Sequence, residues 1–225
     1  MQIFVDSANL EEIRQALARG ISGITTNPSI LAKERGRQPD DVIHEILDAL
    51  IYWDRTAHIS VEVAARGEVE IYREALRLHN LFDGPMNPRP SLHLKVPIGW
   101  DELGVIRKLT NQGIKVNCTA CMSYSQAIMA AGAGAQYVSL FWGRIRDYGA
   151  DPSWEVRRVR QTLDENGSQT RIIVGSIRSE VDVTEALQSG AHVVTVPPRF
   201  LPALCQHPKT DEVVEQFLKD AGKWP

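Results

Sequence analysis

Residues 171–196, RIIVGSIRSEVDVTEALQSGAHVVTV, contain two short apolar runs separated by a segment with a helical pattern. The runs Arg171–Val174 and His192–Val196 are rich in β-branched residues, which favour strands. The intervening segment Val181–Gln188 carries mixed apolar and acidic residues without Gly or Pro, as a surface helix would. A strand, a helix and a second strand at this spacing are typical of a parallel βαβ unit.

The same alternation extends in both directions along the chain. Six further strands are predicted at Gln2–Asp6, Gly23–Thr26, His58–Val63, Leu92–Val96, Lys115–Thr119 and Tyr137–Phe141. The remaining helices are predicted at Leu10–Arg19, Asp40–Tyr52, Glu68–Asn80, Glu102–Gln112, Ser125–Gly132, Ser153–Glu165 and Asp211–Ala221, with a loose connection at Phe82–Ser91. Eight units, with no glycine-rich nucleotide loop after the first strand, favour an α/β fold of the (β/α)₈ TIM barrel type over an open sheet. We therefore expect one catalytic domain over residues 1–225, with its site at the carboxyl ends of the strands.

Composition excludes several classes of protein. The 225 residues carry a formal net charge of −3 and contain no basic block, so we expect no nucleic-acid or membrane partner. No basic segment followed by a long apolar run begins the chain, and no stretch approaches the roughly 18 apolar residues of a membrane span. Three cysteines are too few, and odd in number, for a disulfide framework. The sequence thus predicts a soluble cytoplasmic domain.

Three charged side chains lie on different predicted strands, whose ends converge in a barrel. Lys95 occupies an otherwise apolar strand, where burial disfavours its ammonium form and favours an amine able to attack a carbonyl. Asp6 and Glu62 could divide the proton transfers that an imine mechanism requires. Two plainer interpretations remain: Asp6 could cap the first helix, and Glu62 could simply pair with Lys95.

Polar residues near strands six and seven suggest an anion site. We place Arg144 with strand six, and Ser176 and Arg178 with strand seven, in a region where barrels often bind phosphate. The arginine fork suits phosphate because it can donate two parallel hydrogen bonds. Solvated arginines, or arginines paired between subunits, are the alternative.

Other signals are weak. Cys118 and Cys121 have the spacing of a redox pair but not its context, so we interpret the thiols as small buried residues. The histidines show no metal-binding spacing, so no metal site is expected. Trp100, Trp142 and Trp154 could be core, interface or pocket residues.

Six segments in order along the chain resemble the transaldolase family, and most closely its short branch, which includes fructose-6-phosphate aldolase. They are Phe4–Asn9, Gly23–Ser29, Leu94–Pro97, Asn117–Thr119, Gly143–Ile145 and Gly175–Arg178. The Thr-Thr-Asn-Pro-Ser and Lys-Val-Pro stretches together are highly specific.

The resemblance implies a class I (Schiff-base) aldolase type of barrel that needs no metal or organic cofactor. Lys95 resembles the Schiff-base lysine, and Asp6 the acid/base that deprotonates the C4 hydroxyl. Glu62 and Thr119 resemble the pair that holds a catalytic water. Two further sets match positions that orient the three-carbon fragment, Asn27, Asn117 and Ser139, and positions that bind phosphate, Arg144, Ser176 and Arg178.

Two residues distinguish the branches. At these positions the chain resembles true transaldolases, with Glu62 and Phe141. The aldolase branch has glutamine in place of the first and tyrosine in place of the second. The resemblance therefore implies transfer of a dihydroxyacetone unit from fructose 6-phosphate or sedoheptulose 7-phosphate to an aldose phosphate. The alternatives are an aldolase that releases dihydroxyacetone and a non-catalytic barrel that binds sugar phosphates.

The chain also departs from the family pattern, at Gly99-Trp100, at Cys121–Ser125, at Trp142 and at Arg146, a position that is usually acidic. These departures are expected near the pocket mouth and raise the hypothesis that the product is an unusual longer-chain sugar phosphate of a specialised pathway. The family also implies a homo-oligomer, a pentamer or decamer, in which the C-terminal helix covers a neighbour's site.

Overall fold

A computed structural model describes residues 1–54, 56–82 and 90–223 of the chain. Eight parallel strands form a closed barrel in sequence order, with β8 pairing back to β1, so the predicted (β/α)₈ barrel is confirmed. The strands are β1 Gln2–Asp6, β2 Gly23–Thr25, β3 His58–Glu62, β4 Ser91–Pro97, β5 Val116–Cys121, β6 Tyr137–Phe141, β7 Arg171–Gly175 and β8 Val193–Val196. Each lies within two residues of its predicted bounds.

Ten α-helices are found among the described residues. They are α1 Leu10–Leu17, α2 Pro28–Leu31, α3 Pro39–Trp53, α4 Glu68–Phe82, α5 Trp100–Asn111, α6 Tyr124–Gly132, α7 Trp142–Asp147, α8 Pro152–Glu165, α9 Glu180–Gln188 and α10 Pro208–Ala221. Short 3₁₀ turns at Pro198–Phe200 and Pro202–Cys205 connect β8 to α10. The predicted loose connection at Phe82–Ser91 falls largely on residues 83–89, which lie outside the described residues.

Two short helices, α2 and α7, are absent from the sequence prediction. α7 begins directly where β6 ends, and α2 begins three residues after β2 ends. Four or six residues are too few to show a helical period. Arg144, which we placed with strand six, therefore lies on α7 instead. α7 begins at the carboxyl end of β6, so Arg144 still lies near the strand ends.

The core lies between the strands and the inner faces of the helices. Trp142 is fully buried there and is therefore a core residue, whereas Trp100 and Trp154 are largely exposed and lie outside the core. The thiols of Cys118 and Cys121 are buried with their sulfur atoms 4.0 Å apart, as expected of small core residues. The third cysteine, Cys205, is exposed.

Aromatic rings fill the amino-terminal end of the barrel. The imidazoles of His58 and His93 stack with their centroids 4.2 Å apart, and Phe4 and Tyr137 pack against them. A Cβ on Gly23 would lie 2.5 Å from the Phe4 ring, so only glycine fits beside this cluster. Burial lowers the pKa of His58 well below its usual value and that of His93 to about 4.

These histidines predict acid sensitivity. The unfolded chain binds protons on His93 below about pH 6.5, whereas the folded chain resists protonation until about pH 4, so folding stability falls across that window. For His93 the loss amounts to about 3 kcal/mol in the free energy of unfolding. Urea unfolding of His93→Phe should show a shallower pH dependence between 6.5 and 4 than the parent. His207→Asn, at the exposed start of α10, is the control, and equal slopes for all three proteins would contradict this account.

The C-terminal helix differs from the others in its exposure. Every residue of α10 is exposed, including the large apolar side chains Val213, Val214, Phe217 and Leu218. No residue of α10 packs into the barrel core of its own chain. An amphipathic helix of this kind presents an apolar face without a partner within the described part of the chain.

Candidate active site

A cavity of about 400 Å³ opens at the carboxyl ends of the strands. Eight of the eleven residues proposed from the sequence line it: Asp6, Asn27, Glu62, Lys95, Ser139, Phe141, Arg144 and Ser176. The other lining residues are Thr25, Pro28, Ser29, Ala120, Gly175 and Thr195. Asn117, Thr119 and Arg178 are not part of the lining.

Lys95 places its amine at the floor of this cavity. The residue is only 4% exposed, and its Nζ donates to the backbone oxygen of Thr26 at 2.7 Å. The same Nζ lies 2.8 Å from Oε2 of Glu62, which is the direct register partner of Lys95 on β3. The carboxylate is thus positioned to balance the buried ammonium and to accept its proton.

Asp6 is held by threonine hydroxyls. Its Oδ1 accepts a hydrogen bond of 2.6 Å from Thr25 Oγ1, and Thr25 Oγ1 is in turn 2.6 Å from Thr195 Oγ1. Burial raises the pKa of Asp6, while the Thr25 hydrogen bond and the positive charge of Lys95 act in the opposite direction. Asn9, not Asp6, caps α1, so the plainer interpretation of Asp6 is wrong.

Thr119 is buried and is not part of the cavity wall. It is 1% exposed, and its Oγ1 has no hydrogen-bond partner among the described residues. The adjacent Ala120 lines the cavity at the point where the register between β5 and β6 shifts, with φ at 60°. Bulges of this kind often occur beside active sites, where they re-aim a side chain.

Asn117 is also buried, in a polar network below the substrate space. Its Oδ1 accepts from Ser139 Oγ at 2.7 Å, and its Nδ2 donates to Ser60 Oγ at 3.0 Å. Ser60 Oγ is 2.6 Å from Nε2 of His58 in the aromatic cluster. Asn117 therefore reaches the cavity through Ser139, a depth that the sequence did not indicate.

Asn27 lies at the cavity rim and caps α2. Its Oδ1 accepts from the backbone N–H of Ile30 at 2.9 Å, which fixes the side chain. Its amide nitrogen has no partner among the described residues. This donor is therefore available to a ligand in the cavity.

The predicted anion site is only partly assembled in the cavity wall. Arg144 and Ser176 line the cavity, and Ser176 has a left-handed backbone with φ at 58°. A Cβ on Gly143 would lie 2.7 Å from the Ser176 carbonyl oxygen and 2.6 Å from Arg178 Nε, so glycine lets α7 approach the end of β7. This approach brings the side chains of Arg144, Ser176 and Arg178 to the same side of the site.

Arg178 is engaged by a carboxylate. Its two terminal nitrogens donate to the two oxygens of Asp147 at 2.6 and 2.5 Å, and both side chains are about half exposed. The Arg178 hydrogen bonds lower the pKa of Asp147, with Arg144 and Arg146 adding to the effect. The positive charge of three guanidinium groups thus acts on one carboxylate, an environment that would also attract a phosphate dianion.

Sequence reasoning missed several residues that complete the site. Thr195 and Ser60 were not singled out because single hydroxyl residues within strands carry no motif. Thr25 belongs to the Thr-Thr-Asn-Pro-Ser stretch, but the sequence assigned no role to it. Thr25 follows directly from its register pairing with Asp6, but only once the barrel order is known. The backbone oxygen of Thr26, which holds Lys95, has no side-chain signal at all.

Comparison with known proteins agrees with this arrangement. The family model "Transaldolase/Fructose-6-phosphate aldolase" matches residues 3–224. The chain belongs to this family. It is therefore an enzyme of transaldolase type.

Similar proteins match the chain along nearly its full length. It is 41% identical to a probable transaldolase of Alkaliphilus metalliredigens, with 98% of this chain and 97% of the other covered. It is 38% identical to probable transaldolases of Carboxydothermus hydrogenoformans, covering 98% and 97% of the two chains, and of Thermoplasma acidophilum, covering 99% and 96%. The transaldolase-type barrel and its strand-end cavity thus agree with the family assignment.

The described residues show neither a metal-binding cluster nor a membrane-spanning helix. No group of three or more His, Cys, Asp or Glu side chains in this part of the chain could hold a metal ion. None of the described helices is long and apolar enough to span a bilayer.

Proposed function

We propose that the chain is a transaldolase that uses a Lys95 Schiff base. It would move a dihydroxyacetone unit from fructose 6-phosphate or sedoheptulose 7-phosphate to an aldose phosphate. The observation that carries this proposal is a buried lysine amine, 2.8 Å from Glu62, in a cavity that also contains Asp6. A binding protein would have no need of a desolvated lysine there.

Imine formation requires a free amine. Glu62 Oε2 is within hydrogen-bond distance of Lys95 Nζ and can take its proton. The amine then adds to the C2 carbonyl of the ketose, and the carbinolamine loses water to give a protonated imine. The imine serves as the electron sink, so this chemistry needs no organic cofactor or metal, and we propose none.

Carbon–carbon cleavage is assigned to Asp6. As a carboxylate it accepts the proton of the C4 hydroxyl while the C3–C4 bond breaks, and the bonding electrons move into the imine to form an enamine. The aldose phosphate leaves with its new aldehyde at the former C4. Addition of the enamine to a second aldose phosphate, with Asp6 returning the proton, reverses these steps.

Glu62 and Thr119 would hold the water that is expelled and later returns for hydrolysis. Thr119 Oγ1 is buried without a protein partner in the described chain, which is the condition expected of a hydroxyl that binds water. Glu62 is the carboxylate nearest to Lys95 Nζ, so it can exchange protons with that water.

Substrate groups would be recognised on two sides of the cavity. The amide nitrogen of Asn27 and the hydroxyl of Ser139, which Asn117 orients, face the three-carbon fragment. Arg144 and Ser176 would bind the phosphate, with Arg178 joining them by exchanging Asp147 for a phosphate oxygen. Both partners of Arg178 are anions, so its charge remains paired throughout.

Phe141 supports transfer over release of dihydroxyacetone. It lines the cavity with a side chain that has no proton to donate, so the enamine would persist until an aldehyde arrives. Phe141→Tyr should therefore increase dihydroxyacetone release from fructose 6-phosphate without acceptor by about 10²-fold or more, the lower end of what a positioned general acid contributes. The measurement is an enzymatic assay for dihydroxyacetone.

Phe141→Leu is the matched control because it alters the ring without adding a hydroxyl. Release by the parent at a rate equal to transfer would instead identify an aldolase on the same scaffold.

The hypothesis of a longer-chain product rests on the departures from the family pattern. None of those residues lines the cavity: Trp142 is buried in the core, and Arg146 pairs with Asp182 at 2.8 Å. Turnover should be compared for erythrose 4-phosphate and for pentose phosphate acceptors. Fastest turnover with erythrose 4-phosphate would reject a specialised pathway.

We further propose that residues 1–225 form one catalytic domain of a cytoplasmic homo-oligomer, a pentamer or decamer. The exposed apolar face of α10 supports association, because an apolar face of this size is normally covered. Two buried free thiols suit a reducing compartment.

A charge introduced on the apolar face of α10 would test whether this helix holds the oligomer together. Phe217→Asp should shift the mass measured by light scattering towards a smaller species, because a carboxylate would have to be buried in the contact. Gln216→Asp adds the same charge about 100° around the helix from Phe217, beside the apolar face rather than within it, and should leave the mass unchanged. Equal masses for the parent and Phe217→Asp would contradict this role of α10.

A further inference from the structure

We propose that Thr195 is a positioning residue that keeps the Thr25 hydroxyl pointed at the Asp6 carboxylate. The inference rests on the proposed function, since it concerns the group assigned to C4 deprotonation. Thr195 belongs to none of the family motifs quoted above, and it lies on β8, next to β1 on the side opposite Thr25.

The direction of the hydroxyl chain follows from counting protons. A threonine hydroxyl has one proton to donate. Thr25 uses its proton for Asp6 Oδ1 at 2.6 Å, because the carboxylate has none to give. The 2.6 Å contact between Thr25 and Thr195 must therefore be made with the proton of Thr195.

Burial increases the effect of this row of hydrogen bonds from Thr195 through Thr25 to Asp6. Thr25 and Thr195 are 3% and 5% exposed, so water has little access to replace a lost hydroxyl. Hydrogen bonds in series polarise one another, so donation from Thr195 strengthens the bond that Thr25 makes to Asp6. A stronger bond to the charged form favours the carboxylate that must accept the C4 proton.

The electrostatic surroundings of Asp6 come from several elements. Lys95 on β4 and Lys33 after α2 favour its ionised form, whereas Glu62 on β3 and burial oppose it. The Thr25 hydrogen bond is the largest favourable influence. Weakening this bond should therefore raise the pKa of Asp6, so activity would be lost at a higher pH as the solution is acidified.

The experiment compares the pH dependence of kcat/KM for transfer in the parent and in Thr195→Val, which keeps the shape and removes the hydroxyl. In the parent, kcat/KM falls below a certain pH as Asp6 is protonated, and we call this part of the profile the acid limb. We expect the acid limb of Thr195→Val to lie about one pH unit higher. Thr195→Ser retains the donor and should keep the limb of the parent. Thr195→Ala provides a second deletion of the hydroxyl should the valine side chain disturb packing.

An acid limb at the same pH in the hydroxyl-free variants and the parent would overturn the proposal, and so would an equal shift in Thr195→Ser. A fall in activity without a shift would show that Thr195 acts only through packing, which also overturns it. Borohydride trapping distinguishes failure of the role of Thr195 from failure of the proposed function. A Lys95 adduct with an unmoved limb refutes the role of Thr195 alone, whereas a parent without an adduct refutes the proposed function.

Discussion

Lys95→Met should lower kcat/KM for transfer by about 10⁴- to 10⁶-fold, the scale seen when a covalent nucleophile is removed. Methionine has nearly the length of lysine and fills the same buried space, but it cannot form an imine. Coupled assay of aldose phosphate transfer would measure the loss. Circular dichroism would verify that the barrel remains folded.

Two controls sharpen this prediction. Lys95→Arg retains a positive charge beside Glu62 and should be as inactive as methionine, because a guanidinium does not form the imine. Lys108→Met removes a surface lysine that pairs with Glu68 outside the cavity, so its activity should equal that of the parent. More than a tenth of parental activity in Lys95→Met would contradict the assignment.

Asp6→Asn should lower kcat by about 10²- to 10⁴-fold, the range expected for loss of a general base. Asparagine is close in size to aspartate and can still accept from Thr25, so the fold and the hydroxyl chain should persist. The amine of Lys95 remains, so imine formation should continue. Cleavage should not, because no carboxylate takes the C4 proton.

The mass of the trapped adduct distinguishes loss of the C4 base from a general loss of enzyme structure. Borohydride reduction of Asp6→Asn with fructose 6-phosphate should leave a six-carbon phosphorylated adduct on Lys95, whereas the parent should leave a three-carbon one. Asp164→Asn, which alters a surface pair with Arg160, is the control and should behave as the parent. A three-carbon adduct on Asp6→Asn at the parental rate would show that another group deprotonates C4.

The fold was largely predictable because the strands are marked by strong local patterns. β1 and β6 have the predicted bounds, and Lys95 lies in β4 as expected. Alternating apolar runs and helical segments leave little freedom in a chain of eight units. The helix α7 was not predicted because six residues are too few to show a helical period. Arg144, which lies on α7, was therefore misplaced.

The site was less predictable because depth along the barrel axis depends on strand tilt and register. Asn117 lies next to Lys95 in the register of β4 and β5, yet it is fully buried and reaches the cavity through Ser139. Arg178 follows its strand as expected, but pairs with Asp147 on a helix that the sequence did not reveal. Contacts between distant segments, such as Thr25 with Thr195, have no local signature.

The most direct test of the account is borohydride trapping of the unmodified enzyme with fructose 6-phosphate, with and without an aldose phosphate acceptor, read by intact and peptide mass spectrometry. We predict a reduced three-carbon adduct on Lys95 that disappears when acceptor is added, since the enamine is then consumed. No adduct on folded protein, or an adduct on a different lysine, would contradict the central claim that Lys95 carries the transferred unit.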